Sequence, residues 1–233
     1  MDLIPQREYP EVTYSYRFVF ITALFVTCIL AANILIVKQI SLAGITLPAA
    51  IVIFPLSYIF GDILTEVYGY SQARCVIWLG FFCNLLLVIA IWVVGILPPA
   101  SIFEAQAAYD RILGNTPRFL IASFLAYLAG EFVNSYIMAK MKLLTRGRWL
   151  WTRTIGSTLA GEGVDTVIVL SVSFAGALPA EVIISMVFWH WLLKAAYETM
   201  ATPFTYLIVG YLKKAEKLDT YDYGTNFNPL RAD

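Results

Sequence analysis

Six long apolar runs make up most of this 233-residue chain. About 20 consecutive apolar residues are enough to cross a bilayer as an α-helix. The runs extend over residues 17–38, 47–68, 72–97, 117–140, 154–177 and 182–212. A segment in lipid must satisfy its own backbone hydrogen bonds, and the period-two alternation of a membrane barrel is absent. The sequence therefore predicts an all-α polytopic membrane protein with six transmembrane helices.

Composition supports this class and argues against several others. Hydrophobic residues make up 60% of the chain and charged residues 14%, whereas soluble domains contain about 50% and about 25%. Sixteen Lys and Arg residues balance sixteen Asp and Glu residues, so no basic excess points to a nucleic-acid partner. The first run is longer than the apolar core of a cleavable signal peptide, and we expect it to be a retained span.

The positions of Lys and Arg predict how the helices are oriented. One set of helix ends carries twelve basic residues: Arg7, Arg17, Arg74, Lys140, Lys142, Arg146, Arg148, Arg153, Lys213, Lys214, Lys217 and Arg231. The other set carries Lys38, Arg111 and Arg118, and Lys194 lies inside the last run. The positive-inside rule then places both termini and the loop 141–153 in the cytoplasm.

The predicted organisation is a single transmembrane domain with short polar ends. Residues 1–16 form a cytoplasmic N-terminal segment, 17–213 the six-helix domain, and 214–233 a cytoplasmic polar tail, which we expect to be mobile after Lys217. Within the external segment 98–116, residues 103–113 fit either a short interfacial helix that covers an opening or a passive surface loop. Cys28, Cys75 and Cys83 lie in apolar runs without metal-ligand spacing, and neither a metal site nor a cofactor is predicted.

Ionisable side chains inside the predicted spans are the strongest indication of function, because burying them in a membrane is costly. The spans carry six acidic residues and one lysine: Asp62, Glu66, Glu131, Glu162, Asp165, Glu198 and Lys194. If all were ionised, the carboxylates would greatly outnumber their single counter-charge, which a dry interior cannot hold. We expect these groups to line a hydrated cavity, share protons or bind a donor-rich ligand. Taken singly, a pair such as Lys194–Glu198 also fits a structural salt bridge.

A short internal repeat links two neighbouring spans. The segments 130–135 (GEFVNS) and 161–166 (GEGVDT) both follow the pattern G-E-x-V-[ND]-[ST]. The two helices are predicted to run in opposite directions, and inverted repeats of this kind often build transporter binding sites. We therefore expect Glu131 and Glu162 to face each other and to offer paired carboxylates to one ligand.

The residue types in these spans suit a flat heterocycle with several hydrogen-bond donors. A carboxylate accepts two hydrogen bonds from a guanine-like edge, in which a ring N–H lies beside an exocyclic amine. Four aromatic residues of the last span provide either a stacking face or a lipid-contacting belt: Phe188, Trp189, Trp191 and Tyr197. These properties alone indicate a polar small molecule or an ion and do not select a nucleobase.

Four ordered motifs resemble the bacterial queuosine precursor transporter family. They are FPLSYIFGDILTEVYG at 54–69, GEFVNSYIMAKMK at 130–142, RTIGSTLAGEGVDT at 153–166 and KAAYETMATPFTY at 194–206. The resemblance implies a six-helix importer of deazaguanine bases in the bacterial inner membrane, which supplies base for the queuosine of transfer RNA. The family is also similar in architecture to the substrate-binding subunits of ATP-driven vitamin importers.

The resemblance also implies roles for the polar residues of the spans. Glu131, Asn134, Glu162 and Asp165 would read the edge of the base, and Asp62 and Glu66 would form a gate or proton site. Lys194 would be the counter-charge of Glu198 and Asp165, and His190 a hydrogen-bond donor. Asn33 and Tyr58 complete the predicted substrate-binding set.

Several alternatives for function and assembly remain open at this point. The chain would act either as a carrier on its own or as a capture subunit that needs a separate ATPase, since it contains no P-loop. A cation channel or exchanger is a further alternative. An enzyme is not expected, because the chain has a single histidine and neither an H-E-x-x-H nor a G-x-S-x-G motif. The predicted partners are the small-molecule substrate, the lipid bilayer and a second copy of the chain in a homodimer.

Overall fold

The computed structural model describes residues 15–42, 45–114 and 117–231. Most of the predicted N-terminal segment, including Arg7, lies outside the described residues. The described part contains seven α-helices: α1 (Tyr16–Leu35), α2 (Phe54–Tyr68), α3 (Tyr70–Ile96), α4 (Gln106–Leu113), α5 (Pro117–Thr145), α6 (Leu150–Phe174) and α7 (Ala180–Glu216). A two-stranded antiparallel hairpin, β1 (Gln39–Leu42) and β2 (Ile45–Pro48), and a 3₁₀ helix (Ala49–Val52) connect α1 to α2.

The predicted class of helical membrane protein is confirmed. Within the described part, five helical segments are long and apolar enough to cross a membrane: α1, the 3₁₀ helix continued by α2, α3, α5 and α6. The sixth predicted span corresponds to α7, whose 37 residues make it the longest of the described helices. It contains the polar residues His190, Lys194 and Glu198 and is not among these five segments. It packs against α6 and α2.

The hairpin between α1 and α2 is a feature that the sequence analysis did not predict. Strand β1 begins directly after the first predicted run, and β2 overlaps the start of the second. A short apolar stretch cannot be assigned to helix or strand from its composition alone. In contrast, α4 confirms the short helix as the correct alternative for the segment that follows α3. The Tyr109 hydroxyl of α4 donates to the Ile91 carbonyl oxygen of α3 at 3.2 Å.

The alternating direction of the helices gives the bundle two ends, which we call the hairpin end and the basic end. The hairpin end contains the hairpin and α4, and there Arg118 at the start of α5 donates to the Val172 and Ala175 carbonyl oxygens. At the basic end, Arg17 at the start of α1 pairs with Glu216 at the end of α7. Each described residue of the predicted cytoplasmic basic set lies at or beyond the helix termini of this end. The cytoplasmic location of that end remains a prediction.

Two glycines allow α5 and α6 to pack more closely than any other helix pair of the bundle. A Cβ atom added to Gly161 would lie 2.7 Å from the Asn134 Cβ and 2.8 Å from the Gly130 carbonyl oxygen. These separations are shorter than non-bonded atoms tolerate, so only glycine fits there. The two repeats identified in the sequence therefore cross at their own glycines.

The C-terminal tail is packed against the basic end, so the expectation that it is mobile is wrong for residues 218–231. The buried Asp222 carboxylate accepts hydrogen bonds from the Tyr70 amide at the start of α3, at 3.1 and 3.2 Å. Arg74 donates to the carbonyl oxygens of Asn226 and Asn228 at 3.0 Å. Buried carboxylate and guanidinium groups of this kind hold the polar segment in place.

Candidate functional site

A cavity of about 540 Å³ lies inside the half of the bundle nearer the hairpin end. Its walls come from α1, the 3₁₀ helix, α2, α3, α5, α6 and α7. This volume is typical of small-molecule sites, which measure about 300–1,000 Å³. Most of the lining is apolar, and the polar side chains among it are Asn33, Asn84, Ser123, Tyr127, Asp165, His190 and Lys194.

An ion pair forms the most polar part of the cavity wall. The Lys194 ammonium group of α7 lies 2.8 Å from Asp165 Oδ2 of α6 and 4.2 Å from the centre of the Phe54 ring. Lys194 also lies 3.4 Å from the Thr166 hydroxyl. The pair thus offers a hydrogen-bond acceptor and a donor side by side to a molecule in the cavity.

A second polar pair lies near the hairpin end of the cavity. The Asn33 side chain of α1 donates to the Asn84 side chain of α3 at 2.6 Å, and Ser123 of α5 donates to Asn33 at 3.4 Å. These bonds join three helices and orient two amide groups on the wall.

One helical turn further toward the basic end lies a set of buried acidic residues that we call the carboxyl layer: Asp62 of α2, Glu131 of α5, Glu162 of α6 and Glu198 of α7. The Asn134 side chain donates to Asp62 Oδ1 at 2.8 Å, and the Glu131 Oε2 atom would lie 3.1 Å from a Cβ atom added to Gly61. Glu131 is also close enough to Asp62, Glu162 and Asp165 for their charges to interact. The layer does not line the cavity but lies directly behind it.

A third layer closes the basic end, and we call it the basic cluster: Glu66, Lys142, Arg153, Lys213 and Asp219. Glu66 Oε1 lies 2.8 Å from Arg153 Nη2 and 2.6 Å from Lys213 Nζ. Lys142 Nζ is 2.6 Å from Asp219, which belongs to the tail. The cluster thus connects α2, α5, α6, α7 and the tail.

The pKa of Asp219 reflects the positive charge of the basic cluster. Its partial burial on its own raises the pKa of the carboxyl group, but hydrogen bonds from Lys142 and Lys213 outweigh this effect. The pKa of Asp219 is therefore below its ordinary value, so the tail stays anionic where it meets the cluster.

The predicted site residues lie at three levels of the bundle, which are the cavity, the carboxyl layer and the basic cluster. Asn33, Asp165, His190 and Lys194 line the cavity. Tyr58, Asp62, Glu131, Asn134, Glu162 and Glu198 are buried at the level of the carboxyl layer. Glu66 belongs to the basic cluster. The residues come together in one column, but a ligand in the cavity meets only the first group directly.

The expected pairing of Lys194 with Glu198 is not observed. Lys194 pairs with Asp165, and both oxygens of Glu198 are buried without a hydrogen-bond partner among the described residues. The reason is that Asp165 approaches from the neighbouring helix α6 within 2.8 Å. Sequence spacing along one helix does not reveal such a competitor.

The four aromatic residues of the last span, for which stacking on a ligand was one alternative, are not among the residues that line the cavity. Phe188 and Trp189 are each half exposed on the outside of the bundle, which fits the lipid-contacting alternative. Trp191 donates to the Leu159 carbonyl oxygen at 2.8 Å. The aromatic rings that do line the cavity are those of Phe54, Phe119, Tyr127 and Phe174. Phe54 begins the first of the four quoted motifs, which was the available signal for it.

A bundle of membrane-length helices around an internal cavity with a few polar side chains is typical of membrane transport proteins. The sequence profile of the family described as "Putative vitamin uptake transporter" matches residues 48–208. The chain is 32% identical over 176 residues to the "Probable queuosine precursor transporter" of Bacillus subtilis (strain 168), covering 75% of this chain and 77% of that protein. It is 26% identical over 121 residues to a protein of the same description from Haemophilus influenzae (strain ATCC 51907 / DSM 11121 / KW20 / Rd), covering 52% of this chain and 49% of that protein.

The chain belongs to this vitamin uptake transporter family and is a multi-pass bacterial membrane protein. No solved structure shows a significant match to it. The family match includes all but the first of the cavity-forming helices, as well as all four helices of the carboxyl layer.

Proposed function

We propose that this protein imports a queuosine precursor of the deazaguanine type. The names of the two bacterial relatives support the substrate class, and the internal cavity has a volume suited to a bicyclic base. The transport domain comprises residues 17–213, and the basic end faces the cytoplasm.

The observation that carries this proposal is the ion pair between Asp165 and Lys194 on the cavity wall. A guanine-like edge presents a carbonyl oxygen, a ring N–H and an exocyclic amine in sequence. The Asp165 carboxylate can accept hydrogen bonds from the two nitrogen donors, and Lys194 can donate to the carbonyl oxygen. Adenine presents an amine and an unprotonated ring nitrogen at the same positions, so it leaves both charged groups poorly matched.

The remaining polar residues take supporting roles in this proposal. His190 and the Asn33–Asn84 pair contact the rest of the base, and Phe54 provides an aromatic face beside the ion pair. Glu131, Asn134 and Glu162, which the resemblance implied as base-edge readers, lie behind the cavity wall and do not contact the base in this proposal. Glu66 acts as the gate residue because its ion pairs join four helices at the basic end.

A binding experiment on the purified protein tests this assignment. Deazaguanine bases should raise the thermal unfolding temperature and adenine should not. The substitution Asp165→Asn should weaken binding about 10- to 100-fold, because a hydrogen bond to a charged group contributes about 1.5–3 kcal/mol. Asp110→Asn, on the exposed face of α4, is the matched control and should bind as the wild type does. Equal binding of adenine and deazaguanine bases would refute the proposed edge recognition.

Measuring uptake into vesicles that contain only this protein determines the mode of transport. We propose that it works as a carrier by itself, so vesicles should accumulate labelled base without ATP. Uptake that requires an added ATPase module would instead identify a capture subunit of an ATP-driven importer. The homodimer suggested by the sequence remains a prediction.

A further inference from the structure

The carboxyl layer contains more acidic oxygen atoms than its surroundings bond. Asp62, Glu131, Glu162 and Glu198 come from four different helices, and each is no more than 1% exposed. In the part of the chain that the structure describes, seven of their eight carboxyl oxygens have no hydrogen-bond partner. The exception is Asp62 Oδ1, which accepts from Asn134 at 2.8 Å.

Neutral polar groups at the same level are also without partners. The Tyr58 hydroxyl, the Asn134 Oδ1 atom and the Thr158 hydroxyl are buried and form no hydrogen bond with any described residue. Tyr58 lies close enough to Glu131 and Glu162 for electrostatic interaction, and Thr158 precedes Glu162 by one helical turn. Unbonded groups of both acidic and neutral type thus converge on one region, which indicates a ligand that the chain itself does not supply.

The cations on either side of the layer already have carboxylate partners. Lys194 pairs with Asp165 at 2.8 Å on the cavity side, and Arg153 and Lys213 pair with Glu66 at 2.8 and 2.6 Å on the opposite side. The ionisable groups that face the layer from the helices packed around it are Tyr58 and Glu66 of α2, Tyr127 of α5, Asp165 of α6 and Lys194 of α7. Of these only Lys194 is cationic, so four ionised carboxylates would remain largely uncompensated.

The free-energy cost of four uncompensated buried carboxylates indicates what kind of ligand the carboxyl layer binds. An unpaired carboxylate in a low-dielectric interior is unfavourable by several kcal/mol, so it takes up a cation or becomes protonated. No group of three or more His, Cys, Asp or Glu side chains in the described part is arranged to hold a metal ion. We propose that Asp62, Glu131, Glu162 and Glu198 form a proton-binding site, separate from the base site, that couples transport to the proton gradient.

The proton moves without any covalent change in the base. With the base in the cavity, a carboxylate of the layer takes a proton from the external solution through the cavity. When the basic cluster opens, the base and the proton both leave toward the opposite side. The empty protein returns after the carboxyl group has lost its proton, so each cycle carries one base and at least one proton in the same direction.

This inference rests on the proposed function, and vesicles of the purified protein separate the two. A pH-sensitive dye inside the vesicles reports proton entry, and labelled deazaguanine base reports substrate entry. Adding base outside should acidify the lumen, and an inward proton gradient should drive accumulation of the base. If no base binds or exchanges, the proposed function fails. If base exchanges while the lumen stays at constant pH, or if a sodium gradient alone drives accumulation, the proton site is refuted.

Amide substitutions test the layer itself, because glutamine resembles a permanently protonated glutamate. Glu131→Gln and Glu162→Gln should keep base binding and exchange of base for base, but lose base-dependent acidification and accumulation. Glu181→Gln, at the exposed start of α7, is the matched control and should behave as the wild type. If either variant does not fold, Glu198→Gln provides the same test. Wild-type acidification by all folded variants would overturn the proposal.

Discussion

At the scale of single residues, close packing and charge pairing determine the interior of this protein. The buried Glu66 side chain forms direct ion pairs with Arg153 and Lys213. Glu131 has no such partner among the described residues, although it is equally buried. Two acidic residues of similar burial thus differ in their surroundings, since Glu66 is held in ion pairs and Glu131 is not.

The glycine at the crossing of α5 and α6 gives a prediction at this scale. Gly161→Ala places a methyl group within 2.8 Å of two atoms of α5, and relieving that overlap should cost about 1–3 kcal/mol of stability. Thermal unfolding in detergent measures the effect. Gly210→Ala is the control, because nothing lies within 4 Å of its added Cβ atom and alanine favours a helix. An unchanged unfolding temperature for Gly161→Ala would contradict the close crossing.

At the scale of elements, the tail and α3 depend on each other. Gly69 has a φ of +87° and turns the chain between α2 and α3. As in any α-helix, the first amides of α3 have no partner within the helix. Asp222 accepts a hydrogen bond from the Tyr70 amide and thereby caps α3 from the far end of the chain. The polar tail is therefore part of the bundle's basic end.

Removing this cap should loosen the tail before it unfolds the bundle. Asp222→Ala should cost about 1 kcal/mol, as loss of a capping carboxylate does elsewhere, and should make residues 218–231 sensitive to added protease. Limited proteolysis followed by mass spectrometry detects the cleavage sites. Asp110→Ala, which removes an exposed carboxylate of α4, serves as the control. Equal protection of the tail in wild type and Asp222→Ala would argue against its role as a cap.

At the scale of the whole molecule, charge changes in layers from one end of the bundle to the other. The net charge of zero is made up of a mostly apolar cavity with one ion pair near the hairpin end, an acidic middle layer and a basic end. This order suits import, since a substrate that enters the cavity lies next to the carboxyl layer and is separated from the basic end by the ion pairs of Glu66.

The orientation of these layers in the membrane can be measured by cysteine labelling. In a variant without Cys28, Cys75 and Cys83, Ser101→Cys marks the hairpin end and Lys214→Cys the basic end; both positions are exposed. A maleimide that cannot cross membranes should label Ser101→Cys in intact cells and Lys214→Cys only after permeabilisation, because basic ends face the cytoplasm. The opposite labelling pattern would reverse the orientation.

The sequence identified the polar residues that gather in the interior. It did not distinguish the residues that line the cavity from those that lie behind it. Asp165 and Glu131 occupy similar positions within their spans, yet Asp165 lines the cavity and Glu131 lies behind it. Helical spacing shows which residues share one face of a helix. Helical spacing does not show how much of that face the neighbouring helices cover. That coverage determines which residues a ligand in the cavity contacts.

The sequence by itself determined the long apolar helices and the presence of costly ionisable groups within them. These properties follow from hydrophobicity and backbone hydrogen bonding, which act locally along the chain. Only the tertiary structure decided that Lys194 pairs with Asp165, that Glu66 takes the cations of three helices, and that the tail seals the basic end. Those choices depend on which groups of distant segments come within a few ångströms of each other, because charge pairing is decided by distance in space.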